Sequence, residues 1–300
     1  MDLRRRLKYS QYWNIGFCVQ TPEELIRNKK LKKIKWLKHP YHDRWFADPF
    51  IYRITKDEII VFVEECLVSD NPKGIICELV IDRNSMRLKG RYVLLELDTH
   101  LSYPAILNVE GIIYVYPENG ASGKLNIYEY DSINHKLVNP VCILKEAVAD
   151  ASILKRDNQY YLSATKFPHT QECAYLYKSD SIFGPFKQVC AEPYQMDRSC
   201  SRQGGDWFLL ENELYRPAQN CRIRYGSSLN IMTVNIENGV IKEKPLFAIK
   251  PCCSRYSEGL HTINFKDGLC VIDSYGYLFG IMKYVYNAGR AIKGFFKKKM

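Results

Sequence analysis

Phe46-Ala47-Asp48-Pro49-Phe50 is the first of five short segments that echo one another along the 300-residue chain. The others are Leu101-Ser102-Tyr103-Pro104-Ala105, Val148-Ala149-Asp150-Ala151-Ser152, Cys200-Ser201-Arg202-Gln203-Gly204 and Gly259-Leu260-His261-Thr262-Ile263. Each leads through a turn into an apolar stretch. Their central residues lie 55, 47, 52 and 59 positions apart, the period of β-propeller blades. Five blades place Asp48, Tyr103, Asp150, Arg202 and His261 at corresponding points around one axis. The spacing therefore predicts an all-β, five-bladed β-propeller with a polar ring near its centre.

Working outward from the echoes, each repeat reads as several short strands. The first contains Phe46–Tyr52, Ile59–Val63, Ile75–Ile81 and Tyr92–Leu97, with turn residues such as Asp157-Asn158 and Lys266-Asp267-Gly268 punctuating later repeats. No 10–15-residue amphipathic helix alternates with the strands, which argues against a βαβ architecture. The fifth repeat supplies only Leu260–Phe265 and Leu269–Ile272 before the pattern changes. Two strands are missing there, and Tyr12–Val19 and Lys32–Leu37 supply candidates. Residues 12–38 are thus expected to complete the last blade and close the ring, removing its open edges. The propeller domain is drawn as residues 1–276.

The net charge of +10 is uneven: residues 1–45 carry +8, residues 283–300 carry +6, and the remainder is −4. A mildly acidic body argues against a nucleic-acid-binding propeller. Past the last repeat, Leu278, Ile281, Met282, Val285, Ile292, Phe295 and Phe296 fall largely on one helical face, with Lys283, Arg290, Lys293 and Lys297–Lys299 adding charge. This pattern predicts a basic amphipathic helix over residues 277–300. It either packs on the propeller or lies on an anionic membrane surface. No 18-residue apolar run occurs, and no apolar stretch follows Met1-Asp2-Leu3-Arg4-Arg5-Arg6, so neither a transmembrane helix nor a signal peptide is expected. The eleven cysteines then read as reduced thiols of a cytoplasmic protein, peripheral on the inner face of the membrane. They show no ligand spacing, so no metal or cofactor is expected.

Polar residues near an axis are costly unless hydrated, paired or used. Behind the central five, a second layer comes from the ends of the next strands: Glu64 and Glu65, Glu118, Lys166, Arg216, Gln219 and Asp273. Trp45, Tyr116, Trp207 and Tyr275 are candidate stacking platforms. Carboxylates, cations and aromatics converging on one funnel suit a hydroxyl-rich ligand carrying an anionic group. The structural alternatives are equally concrete. Asp48 can hold adjacent blades through backbone N–H groups, Asp150 and Arg202 can form an ion pair that seals the channel, His261 can be a satisfied core histidine, and Arg216 can be a structural strand end.

Six strings occur in one order: Trp45-Phe46-Ala47-Asp48-Pro49-Phe50, His100-Leu101-Ser102-Tyr103-Pro104, Ser181-Ile182-Phe183-Gly184-Pro185-Phe186, Leu214-Tyr215-Arg216-Pro217-Ala218-Gln219, Arg224-Tyr225-Gly226 and Gly259-Leu260-His261-Thr262. Across roughly residues 12–275 the chain resembles the N-terminal propeller module of plant glucosamine inositolphosphorylceramide transferases, which also has bacterial relatives. That resemblance implies a carbohydrate-related propeller in cell-surface polysaccharide or glycolipid assembly. It would bind a sugar, sugar-phosphate or glycolipid ligand, assist glycosyl transfer and work beside a glycosyltransferase partner. More distantly the module is similar to the arabinanase and xylosidase glycoside hydrolases. This likeness implies Asp48 as a catalytic base and Asp150 as a pKa-modulating carboxylate, while Arg202 stands where that clan has its acid. Arginine cannot serve as a general acid, so Asp48 or Asp150 would have to pair with Glu65 or Glu118. Three readings stay open: a catalytic or accessory propeller of glycan assembly, a glycoside hydrolase with a relocated acid, and a non-catalytic scaffold.

Overall fold

The computed structural model describes residues 11–68, 72–237, 240–251 and 255–277. The chain begins with β1 (Gln11–Val19), a short helix α1 (Pro22–Asn28) and β2 (Lys35–Trp36). Blade one follows as β3 (Arg44–Ile54), β4 (Glu58–Leu67), β5 (Gly74–Asp82) and β6 (Leu88–Leu95). Blade two is β7 (Ser102–Val109), β8 (Ile112–Glu118), β9 (Leu125–Asp131) and β10 (Lys136–Leu144). Blade three is β11 (Val148–Arg156), β12 (Gln159–Lys166), β13 (Ala174–Ser179) and β14 (Lys187–Gln188). Blade four is β15 (Phe208–Leu210), β16 (Glu213–Asn220), β17 (Ser228–Glu237) and β18 (Val240–Ile249), and β19 (Ile263–Lys266) with β20 (Leu269–Tyr277) opens blade five.

Among the described residues the sheets number five, each four-stranded and antiparallel, and the fifth has the order β19-β20-β1-β2. The first strand of the chain therefore lies beside the last. Their register runs without a break from Gln11 opposite Tyr277 to Val19 opposite Leu269. The expected closure by residues 12–38 is present: Ile15, Phe17 and Leu37 bury themselves against blade one, while Cys18 and Trp36 pack on the blade-four side. Closure replaces two open sheet edges with paired backbone, which holds the ring of sheets together.

Blades stack face to face, so a middle strand is covered on both sides. That is why β4 reads Ile59-Ile60-Val61-Phe62-Val63, all buried, instead of alternating. The outer strand β6, by contrast, has only one position, Leu94, fully buried. Helix α1 was not foreseen, although its signal is explicit in Thr21-Pro22-Glu23-Glu24. Thr21 caps the Glu24 N–H, Glu24 returns to the Thr21 N–H, and Pro22 occupies the first turn. The helix expected over residues 277–300 falls outside the described residues, apart from Tyr277, which ends β20. Among the described residues no helix is long and apolar enough to cross a membrane.

Removing residues 1–38 strips Ile15, Phe17, Leu25 and Leu37 from the core and bares the edge of β20. Each buried side chain of this kind contributes about 1.5–3 kcal/mol, so the truncated protein is expected to lose at least about 10 °C in Tm. An unchanged melting curve, followed by circular dichroism, would contradict the closure.

Candidate functional site at the propeller axis

Three of the five echoes are the same backbone device. Asp48, Tyr103 and Asp150 have φ of 49°, 46° and 47°, and at each the inner strand slips register against its neighbour in a bulge. The left-handed conformation costs a non-glycine residue roughly 1–2 kcal/mol and pulls the bulge N–H out of the sheet ladder. Such a group cannot be left bare when buried. A carboxylate from the preceding blade accepts it every time. Asp273 Oδ2 takes the Asp48 N–H at 2.9 Å, Asp48 Oδ2 takes the Tyr103 N–H at 3.2 Å, and Glu118 Oε2 takes the Asp150 N–H at 3.1 Å.

The circuit continues through side chains. Arg202 from blade four forks onto Asp150 at 2.5 and 3.2 Å and lies 3.4 Å from Glu118. Gln219 donates to Asp150 at 2.6 Å. In blade five, Asp273 Oδ1 accepts the N–H groups of His261 and Thr262, its Oδ2 lies 2.7 Å from His261 Nδ1, and Thr262 donates its hydroxyl to Asp48 Oδ1 at 2.7 Å. All these side chains are buried.

Burial on this scale moves the titrations. It pushes the Asp48 carboxyl up to about 7; His261 opposes the rise, and Asp150, Glu64 and Asp273 add to it. Burial likewise drives Glu118 well above the usual range against the pull of Arg202. Burial alone would discharge His261, but Asp273 and Asp48 outweigh it and hold the imidazole up at about 9. His261 is therefore an imidazolium at neutral pH. Trp13, from the ring-closing strand, stacks on it with centroids 4.0 Å apart and planes at 21°, a favourable cation–π placement. Tyr225 stands edge-on to His261 at 5.3 Å and 5.2 Å from the Arg202 guanidinium. With 39% of its surface exposed, Tyr225 roofs both cations. Its neighbour Gly226 has φ +56°, and a Cβ there would sit 2.8 Å from the His261 Cβ, so the roofing loop needs glycine.

The structure gathers Asp48, Asp150, Glu118, Arg202, Gln219, His261 and Asp273 at one end of the axis. It takes others away. Glu65 points to the outer strand, held by Arg44 at 2.8 Å and Arg91 at 2.7 Å. Strand alternation instead aims its neighbour Glu64 toward Asp48. Arg216 is fully buried and spent inside blade four on Glu243, the Cys200 carbonyl and Gln203; its structural alternative describes it. Lys166 pairs with Glu146 at 2.6 Å. Tyr103 offers no free hydroxyl: it bonds Ser152 and accepts the Gly205 N–H, tying blades two, three and four. Tyr116 is a core residue, not a platform, and its hydroxyl accepts the Ile153 N–H. Trp13 and Tyr225 went unassigned. The first is invisible until β1 is placed in blade five, and the second belongs to a loop with no period.

Asp48, His261 and Asp273 are also a cluster of the described residues with ligand atoms close enough for a cation, within 4.8 Å of one another. Their bonding fits an internal ion pair better. Asp273 already accepts three N–H groups besides its His261 partner, and a metal would have to expel the imidazolium proton.

The sequence profile of the family described as glucosamine inositolphosphorylceramide transferase 1, N-terminal, matches residues 31–244. The chain belongs to this family. It is 28% identical over 202 residues to glucosamine inositolphosphorylceramide transferase 1 of Oryza sativa subsp. japonica, covering 65% of this chain and 27% of that protein. With the Arabidopsis thaliana protein of the same name it shares 28% over 200 residues, covering 64% and 26%. The match thus spans about a quarter of these curated relatives. Among solved structures the fold is similar to Zg3597, a family 117 glycoside hydrolase from Zobellia galactanivorans, with TM-score 0.55, 11% identity and coverage of 81% and 89%. It is also similar to an exo-1,5-α-L-arabinanase from a bovine ruminal metagenomic library, with TM-score 0.52, 13% identity and coverage of 79% and 93%. These likenesses establish the five-bladed fold.

The raised Asp48 carboxyl carries a signed consequence. The folded state binds its proton more tightly than the unfolded chain, so ionising Asp48 costs stability. That cost is absent below about 4, grows as pH rises and is complete above about 7. Asp48→Asn is therefore expected to raise Tm by roughly 5 °C at pH 8 and to leave it unchanged near pH 4. A variant less stable than wild type at pH 8 would make the ionised carboxylate a net support of the ring.

Proposed function

We propose that the axial site binds a carbohydrate ligand and that the protein works in glycolipid or cell-surface polysaccharide assembly. One observation carries this reading. At the ring the buried Gln219 Oε1 has no hydrogen-bond partner in the protein, nor has Asn119 Oδ1, next in the chain to Glu118, while Glu64 Oε1 meets His100 Nε2 at 3.3 Å. The Gln219 orientation is fixed, because its amide nitrogen donates to both Asp150 and the Gln203 carbonyl. Buried acceptors left this way are complements of donor groups, and sugar hydroxyls are donors of the right density. The names of the family and of its plant relatives support a glycan context.

In this reading Asp48 is the base for an acceptor hydroxyl, since a carboxyl titrating near 7 is matched to proton transfer at neutral pH. Asp150 is held in place by the Arg202 fork. His261 and Arg202 supply positive charge for a phosphate-bearing ligand. A glycosyltransferase partner and attachment of the basic ends to an anionic membrane belong to the same proposal.

A hydrolase reading has one specific support: burial pushes the Glu118 carboxyl well above the usual range, the direction a general acid needs, beside Asp150 where Arg202 cannot donate. It predicts release of reducing sugar from furanoside or pyranoside substrates, abolished by Asp48→Asn.

Calorimetric titration with nucleotide sugars and sugar phosphates tests the main reading. Saturable binding to wild type is expected, weakened about tenfold in Gln219→Ala. Absence of binding, or equal binding by the variant, would remove the axial ligand.

A further inference from the structure

The strand pair that closes the ring carries a second, unrelated chemistry. Cys18 on β1 and Cys270 on β20 are direct partners in the antiparallel register. Cα atoms so paired are about 4.5–5.5 Å apart, inside the 4.4–6.8 Å span that a disulfide bridges. Both side chains are buried in the same apolar cluster and so project from the same face of the sheet. Both are free thiols, within hydrogen-bonding reach of each other. We infer that Cys18 and Cys270 are an oxidation site, a latent cross-strand disulfide that turns the non-covalent closure of the propeller into a covalent one.

The surroundings make Cys18 the more reactive thiol of the pair. The Cys270 thiol lies against Cys18 and, with Lys32 nearby, lowers its titration despite burial. Burial raises Cys66, Cys77, Cys200 and Cys221 and raises Cys270 as well, so Cys18 is the member of the pair that attacks first. Blade-four residues Leu229, Ile231 and Ile249 pack in the same cluster, and at Cys18 the cover includes the segment that follows β1. Gln20 accepts from the Cys18 thiol at 3.6 Å and from the Lys32 N–H at 3.0 Å, and donates to the Lys30 carbonyl at 2.9 Å. Beyond it lies α1, seven residues with one buried side chain, Leu25. A segment with so few buried contacts opens locally long before the ring unfolds, and that opening admits a small oxidant.

The reaction needs a low-molecular-weight disulfide. The Cys18 thiolate attacks one of its sulfurs, forming a mixed disulfide and releasing one thiolate, which takes up a proton. Cys270 gives its proton to solvent and attacks the Cys18 sulfur, expelling the second thiolate. The sum is one disulfide and two protein thiols converted to one protein disulfide and two small thiols, with two electrons passing to the oxidant. The product joins the first strand to the last across a loop of about 250 residues, long enough for the entropic effect on the unfolded chain to approach its largest values.

The experiment incubates the reduced full chain with oxidised glutathione a few degrees below its Tm, blocks remaining thiols by alkylation, and maps the digest by mass spectrometry. A linked Cys18–Cys270 peptide is expected, together with a Tm rise of roughly 5–10 °C that dithiothreitol reverses. Cys18→Ser and Cys270→Ser should each abolish both, and Cys18→Ala replaces the serine variant if a buried hydroxyl disturbs folding. Recovery of both cysteines alkylated, linkage of either to a different cysteine, or a linked peptide without a Tm rise would overturn the inference.

Discussion

A buried N–H group that has lost its strand partner must find an acceptor, and at the axis of this propeller the acceptors are carboxylates. Asp273, Asp48 and Glu118 each take the bulge N–H of the next blade. The arrangement runs in one direction around the ring, so blades five, one and two each fix the bend of their successor. Between blades three and four the same task passes to the Arg202 fork on Asp150. Position, burial and charge at the centre of the molecule follow from this one constraint.

Carboxylates used as structural acceptors bring a second requirement, because several negative charges in a dry channel repel one another. Two buried cations, Arg202 and the His261 imidazolium, answer it, and protonation of Asp48 near neutral pH relieves the rest. The groups that hold the blades are therefore the same groups that could bind or activate a ligand. Trp13 links this chemistry to topology. It stacks on His261 from β1, so the strand that closes the ring also supports the charge at its centre.

Most of the architecture was legible because blade stacking imposes it on sequence. Middle strands covered on both faces appear as apolar runs, and the echo around Asp48, Tyr103 and Asp150 marks a bulge that few residues tolerate. The closure was legible from a deficit: repeat five lacked two strands, and residues 12–38 held them. Other features were not. Arg202 and His261 align with the echo by spacing but lack the left-handed φ, so sequence period overstated their equivalence. Glu64 and Glu65 are adjacent, and only the strand register decides which one faces Asp48. Arg216 looked like a ligand group because its partner Glu243 lies 27 residues away. Helix α1 carries its capping box in Thr21 and Glu24 but, at seven residues with one buried side chain, is too short to show a helical period.

The account stands on a charged His261 held between Asp273, Asp48 and Trp13. Nuclear magnetic resonance of the histidine side chains across pH 5 to 10 tests it most directly. The expected result is an imidazolium at neutral pH that titrates near 9, with its Nδ1 proton protected from exchange. Titration of His261 at its ordinary value near 6.5, or a neutral ring at pH 7, would contradict the ion-paired girdle.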